Sequence, residues 1–339
     1  MMIDVTYYER LDSRSRHTYD VIVADLRSMS PRILADGVDE DMLQDILRNR
    51  PELFYVSQQF AVAYSLLGRS IQPSYLYPRE QASQIAGELA RKVEEVVRER
   101  INDHQSDYDK VLVLHDYLAC TAQYDDEAAA ANDRMVARDP RIAESHTVVG
   151  PLLRGKAVCS GFAKAMKMLC DRVGVKCCTI GGTASNVMSS GPHAWNMVCL
   201  GGRWHHVDVT WDNQFSMNGD IPNYGYLNVD DETMSRDHRW DRSLVPTSPD
   251  DPYNYFRMND SLVDGRVQLE RLLKDRFDTE EPFVLFKVKR DSPFAQKIGS
   301  DLNEIVYKAA SQCRYTRLSG FRCESIPEQL VFDIQPVYH

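Results

Sequence analysis

The sequence predicts a mixed α+β fold, on three observations. After Cys159, apolar residues recur at three- and four-residue steps (Phe162, Ala165, Met166, Leu169, Cys170, Val173) and stop at Gly174, as in an amphipathic helix with a glycine terminator. Two strand-like runs, His193 to Leu200 and Arg203 to Trp211, flank Gly201-Gly202, the signature of a tight β-hairpin. Ahead of both lies a long charged helical stretch, about 79–103, whose apolar stripe is Ile85, Leu89, Val93, Val96 and Val97.

Residues 1 to about 50 read as two short helices, the second opened by Val38-Asp39-Glu40-Asp41 and closed before Pro51. Glu52 to Tyr77 reads as strands. These stretches and the charged helix make an N-terminal region, 1–104. A core follows at 105–242, with a helix from Lys110 to Ala122 whose apolar side carries His115, read as a packed histidine. The Asp-, Ala- and Arg-rich segment from Tyr124 to Ala143 reads as a mobile excursion. Ser243 to Tyr253, with three prolines, reads as a linker (243–253), and 254–339 as a small C-terminal α/β module of strand, helix and strand.

A chain of 339 residues can bury an ample core without disulfide staples. Fifty acidic residues against 40 basic give a net charge of −10, which disfavours nucleic acid or an anionic membrane as main partner. The N-terminus lacks a basic region followed by an apolar one, and no apolar run reaches 18 residues. A cytoplasmic location without membrane insertion is expected, although an exported chain trimmed of its signal would read the same. The eight cysteines lack Cys-x-x-Cys spacing and are expected to be reduced thiols. No cofactor is called for, and the oligomeric state is left open.

The chemistry concentrates between Gly155 and Asn213. Cys159 falls at the start of its helix, where unpaired N–H groups and the helix dipole favour a thiolate. In the hairpin, a two-residue loop makes paired positions sum to 403, so Trp195 faces Asp208 and His193 faces Thr210. His193 and Asp208 become diagonal neighbours within side-chain hydrogen-bonding reach. His205 points to the other face, and His206 lies too far along the sheet to join His193, so no metal site is expected. Trp195 and Trp211 fall on opposite faces; with Gln214 they are weak candidates for substrate binding, and Asn213 and Asn218 read as loop amides.

Gly155-Lys156-Ala157-Val158-Cys159-Ser160-Gly161-Phe162-Ala163, Pro192-His193-Ala194-Trp195-Asn196 and His206-Val207-Asp208-Val209-Thr210-Trp211-Asp212 resemble the three motif blocks of the bacterial transglutaminase-like superfamily. The resemblance extends more weakly from about Tyr108 to His238. It implies a papain-like α+β core with a Cys159, His193, Asp208 triad acting on protein or peptide amides. Family members include acyltransferases, proteases and peptide deglycosylating enzymes, so hydrolysis and amine transfer both stand. The rival class is an inactive module that binds a peptide or glycan.

Overall fold

The computed structural model describes every residue except 1–5, 35–37, 66–67, 137–138, 186–189, 215–221 and 315–316. Its chain divides into two compact units, Met1–Gln214 with Asn228–Asp251 and Phe215–Leu227 with Pro252–His339.

The first unit opens with a helix, Ser13–Arg27, whose first turn is closed by the Asp12 carboxylate accepting from the Ser15 N–H. A second, Glu40–Asn49, is closed likewise by Asp39 on the Met42 N–H. Strands β1 (Ile33–Leu34), β2 (Val56–Ser65) and β3 (Gly68–Tyr75) pair antiparallel in the order β1-β3-β2. Tyr19, Ile22, Ile33, Met42, Ile46 and Leu53 fill the core between these elements. The charged stripe forms the helix Arg79–Arg100, and a Ser106/Asp109 capping box opens the next, Asp107–Thr121.

After β4 (Gln123–Tyr124), the segment read from the sequence as a mobile excursion contains three short helices, Asp126–Ala130, Asp133–Val136 and Pro140–Ser145. Aspartates that suggest a solvated loop by composition are caps here. Asp125 accepts from the Ala128 N–H and Asp139 from the Arg141 N–H. β5 (Lys156–Ala157) pairs parallel with β4 and delivers the chain to the cysteine helix, Cys159–Arg172.

The main sheet contains β6 (Cys177–Ser185), β7 (Ser190–Leu200), β8 (Arg203–Val207), β9 (Leu227–Val229) and β10 (His238–Trp240), in the order β10-β6-β7-β8-β9. The cysteine helix is tied to β7 by Asn196, whose amide donates to the Ala163 carbonyl at 2.9 Å. Asn49 reaches β6 from the N-terminal helices: its Oδ1 accepts from the Thr179 N–H at 2.7 Å, and its Nδ2 lies 3.4 Å from the Thr179 carbonyl.

In the second unit, β11 (Leu262–Val263), β12 (Val284–Val288), β13 (Leu318–Ile326) and β14 (Val331–Tyr338) run in the order β11-β12-β14-β13. Two helices, Arg266–Asp278 and Ile298–Ser311, share with the sheet a core of Leu269, Leu273, Phe277, Phe286, Ile305, Val306 and Ile334. The expected strand, helix and strand are present, but β12 and β14 pair antiparallel. The helix after β12 leads first to the edge strand β13, and a hairpin returns β14 between the two. No helix among the described residues is long and apolar enough to cross a membrane.

Candidate active site

Cys159 is the first residue of its helix, with Val158 at the cap in extended conformation and no side chain capping the first turn. The turn is held from outside, where the Val158 N–H donates to the Ser145 carbonyl at 3.0 Å. Gly161 permits that approach, since a Cβ there would stand 2.3 Å from the same carbonyl oxygen. The Gly161 and Phe162 N–H groups donate to the Val158 carbonyl at 2.9 and 3.1 Å, so the first-turn donors left for an anion are the Cys159 and Ser160 N–H groups.

The hairpin has the register that a two-residue loop dictates: Asn196 faces Val207 and Leu200 faces Arg203, both pairs summing to 403. Gly201 and Gly202 supply positive φ values of 56° and 78°, the combination that a type I′ turn requires. His193 Nε2 lies 2.7 Å from Asp208 Oδ2, with both side chains buried. The Cys159 thiol and this ring interact, and with Nε2 taken by Asp208 the nitrogen left for sulfur is Nδ1. Burial pushes the Cys159 thiol up, but the His193 hydrogen bond and charge, with the Ala194 N–H, bring it below the ordinary thiol value. Burial opposes charge on His193 as well, and the Asp208 charge and hydrogen bond outweigh it, raising the imidazole to about 10.

The chain departs from the expected hairpin at Asp208. β8 ends at Val207, and the helix Val209–Gln214 begins in place of a continuing strand. Asp208 makes the switch: its Oδ1 accepts from the Thr210 and Trp211 N–H groups at 3.0 and 3.2 Å. Burial pushes the carboxyl up, but the charge and hydrogen bond of His193, with those of His238, hold it far below its usual range. The same switch corrects the placing of Trp211. Its side chain follows a helical rather than a strand period, so its ring lies 5.7 Å from that of His193 and 4.4 Å from that of His238. Trp195 stacks on the other approach, 6.0 Å from His193. The two indoles therefore flank one imidazole instead of lying on opposite faces.

Trp195 Nε1 donates to His206 Nδ1 at 3.0 Å, and His206 Nε2 meets Asp231 at 2.8 Å, so His206 serves the wall behind Trp195. Burial lowers His205 to about 4. Asn213 donates to the Ala119 and Ala122 carbonyls at 2.6 and 3.0 Å, closing the C-terminus of the helix Asp107–Thr121. The side chain of Gln214 and residue Asn218 lie outside the described residues.

Two neighbours of the site were not singled out from the sequence. His238 Nε2 lies 3.1 Å from Asp208 Oδ2, the oxygen that holds His193. It is thirty residues further along the chain, and its signal is confined to the weak outer part of the family resemblance. Tyr124 pairs with Ala157 across β4 and β5 and packs against Val158; burial and nearby Cys159 push its phenol up to about 12. Among the described residues, the group able to hold a metal is His193, Asp208 and His238. Their N···O separations of 2.7 and 3.1 Å are hydrogen-bond lengths. Ligands about 2.0 Å from one tetrahedral ion stand roughly 3.3 Å apart, so an ion would have to displace both N–H donors.

Residues 94–209 match the model of the transglutaminase-like superfamily. The kyphoscoliosis peptidase of Mus musculus is 28% identical over 144 residues, 40% of this chain and 20% of that protein. The Homo sapiens kyphoscoliosis peptidase is 28% identical over 138 residues, 38% and 19% of the two chains. The matched stretch thus spans about a fifth of each relative. A crystal structure of a TGase is similar over 48% of this chain and 47% of that one, at 17% identity and a TM-score of 0.31.

Proposed function

We propose that the protein cleaves or transfers amide bonds of a protein or peptide substrate through a Cys159 thioester. The observation that carries this reading is the chain of contacts from the Cys159 thiol to His193 and from His193 to Asp208, set at an uncapped helix N-terminus. In the acylation step the thiolate sulfur attacks the carbonyl carbon, and the backbone N–H of Cys159 receives the oxyanion. The C–N bond then breaks, its electron pair leaves with nitrogen, and the His193 proton goes to that nitrogen. In the second step His193 takes a proton from water, or from an amine, as it attacks the thioester, and sulfur leaves as thiolate. Asp208 keeps the Nε2–H tautomer in place throughout.

Hydrolysis is the favoured branch, because water outcompetes an amine unless the site excludes it. The peptidase names of the mouse and human relatives support a peptide as the substrate class.

The test incubates the full chain and its Cys159→Ala variant with an unbiased peptide library, with and without a primary amine, and reads products by mass spectrometry. Peptides shortened or deamidated only by the parent are expected. Amine adducts replacing them would transfer the reading to acyl transfer. Absence of any Cys159-dependent product would favour a binding module.

A further inference from the structure

Asp208 Oδ2 has two histidine neighbours. His193 Nε2 approaches at 2.7 Å and His238 Nε2 at 3.1 Å, while His238 Nδ1 lies 2.6 Å from Asp237 Oδ1. The His238 ring is wholly buried on β10 and packs at 4.4 Å from Trp211 and 5.0 Å from Trp195, the two indoles that flank His193. β10 is fixed to the sheet by pairing His238 with Ala184, and the neighbouring Ser185 N–H donates to the Asp237 carbonyl at 2.9 Å. A line of contacts therefore runs Cys159, His193, Asp208, His238, Asp237.

We propose that His238 is a positioning residue for this site, resting on the triad reading above. Oδ1 of Asp208 is committed to the helix Val209–Gln214, so the carboxylate can still turn about that anchor. The Nε2–H of His238 fixes the second oxygen, and Asp237 fixes His238. Asp208 thus keeps a second donor on Oδ2, beside the Nε2–H of His193, when His193 gives its proton from Nδ1 to the leaving nitrogen. A carboxylate held this way keeps the imidazole plane aimed at sulfur, as outer-shell partners do for ligating histidines.

The two ring nitrogens of His238 can be tested separately. Glutamine places an amide nitrogen where histidine has Nε2, and asparagine places one where it has Nδ1. His238→Gln keeps the donor to Asp208; His238→Asn loses it. The readout is the rate at which Cys159 of the full-length protein is labelled by iodoacetamide at pH 6, with the near-UV circular dichroism of each variant as the check on folding.

His238→Asn should slow labelling about tenfold, one unit of thiol pKa, and His238→Gln less than threefold. Equal rates for the two would overturn the proposal, because a packing role does not distinguish them. Should His238→Asn fail to fold, Asp237→Asn decides, since it leaves the ring in place. A labelling rate between two and ten times slower supports the proposal, and an unchanged rate overturns it. His193→Ala separates the two levels of the argument. If it leaves labelling unchanged the triad reading itself falls; if it slows labelling while His238→Asn does not, only the role of His238 falls.

Discussion

His115 Nε2 lies 3.0 Å from Asp212 Oδ2 with both side chains wholly buried, and this pair pins the helix Asp107–Thr121 to the short helix that Asp208 opens. The geometry of the candidate site therefore depends on an ion pair outside it. His115 Nδ1 also meets Asp116 at 3.1 Å.

Stability should follow the protonation of His115. Burial disfavours its charge, but the hydrogen bonds to Asp116 and Asp212 outweigh that and raise it to about 9 from an ordinary 6.5. A histidine raised on folding contributes its full stabilisation below about pH 6.5 and loses it as pH climbs through 9. The share at stake is about 3 kcal/mol. Urea midpoints should fall between pH 6.5 and 9.5. His115→Leu, which strands Asp212, should be about 3–5 kcal/mol less stable at pH 6.5 and show a shallower fall. A parent slope unaltered in the variant would assign the fall to other groups.

Asp208 has two duties that substitution can separate. Asp208→Asn retains an oxygen for the Thr210 and Trp211 N–H groups but loses the charge and favours the wrong imidazole tautomer. Turnover should drop by about two to four orders of magnitude, roughly 2.7–5.5 kcal/mol of transition-state stabilisation, with the melting temperature nearly kept. Asp208→Ala should match that loss and also cost about 0.5–2 kcal/mol of stability, the worth of a helix cap. His205→Ala should spare turnover by comparison. Equal turnover losses for Asp208→Asn and His205→Ala would show the triad to be misassigned.

Alkylation needs no substrate. Cys159, held below the ordinary thiol value by His193, should carry more thiolate at pH 6 than an ordinary thiol, which is about 0.3% ionised there. Iodoacetamide at pH 6 should label Cys159 well before Cys323, whose thiol partial burial and nearby Asp333 push up to about 11. Peptide mapping that found Cys323 labelled as fast would remove the thiolate from the mechanism.

Gly161→Ala tests the seat of the cysteine helix. Alanine has the better helix propensity by about 1 kcal/mol, but its methyl would meet the Ser145 carbonyl at 2.3 Å. The clash should win, lowering stability by about 1–3 kcal/mol. It should also slow Cys159 labelling, because the helix must shift from Ser145. A variant more stable than the parent would mean that the contact relaxes freely.

Much of this arrangement is legible in the chain because local rules fix it. Gly174 does end the cysteine helix region, with φ 79°, and Gly201-Gly202 sets the register that brings His193 to Asp208. The strand-to-helix switch was obscured by composition: Val207, Val209, Thr210 and Trp211 are all strand formers, and only the capping capacity of Asp208 signals a helix. A strand period consequently puts Trp211 on the wrong face. His238 could not be placed by any local pattern, since its partner lies thirty residues away and is reached only through the pairing of β10 with β6. In the C-terminal region, the order of β12, β13 and β14 depends on which strand takes the edge, and strand propensity carries no such information.

The amide of Asn49 has a consequence for solubility. β10 pairs with Gly182, Thr183 and Ala184; among the described residues no strand lies beyond the rest of β6 on that side, and at Thr179 the Asn49 side chain occupies both backbone groups in place of one. A chain shortened to begin after residue 104 would lose that cover and present Cys177 to Gly181 as an open template for another molecule. Trimming the protein to its recognisable domain should therefore yield material that self-associates through sheet edges, and the N-terminal helices act, among their other roles, as a guard against aggregation.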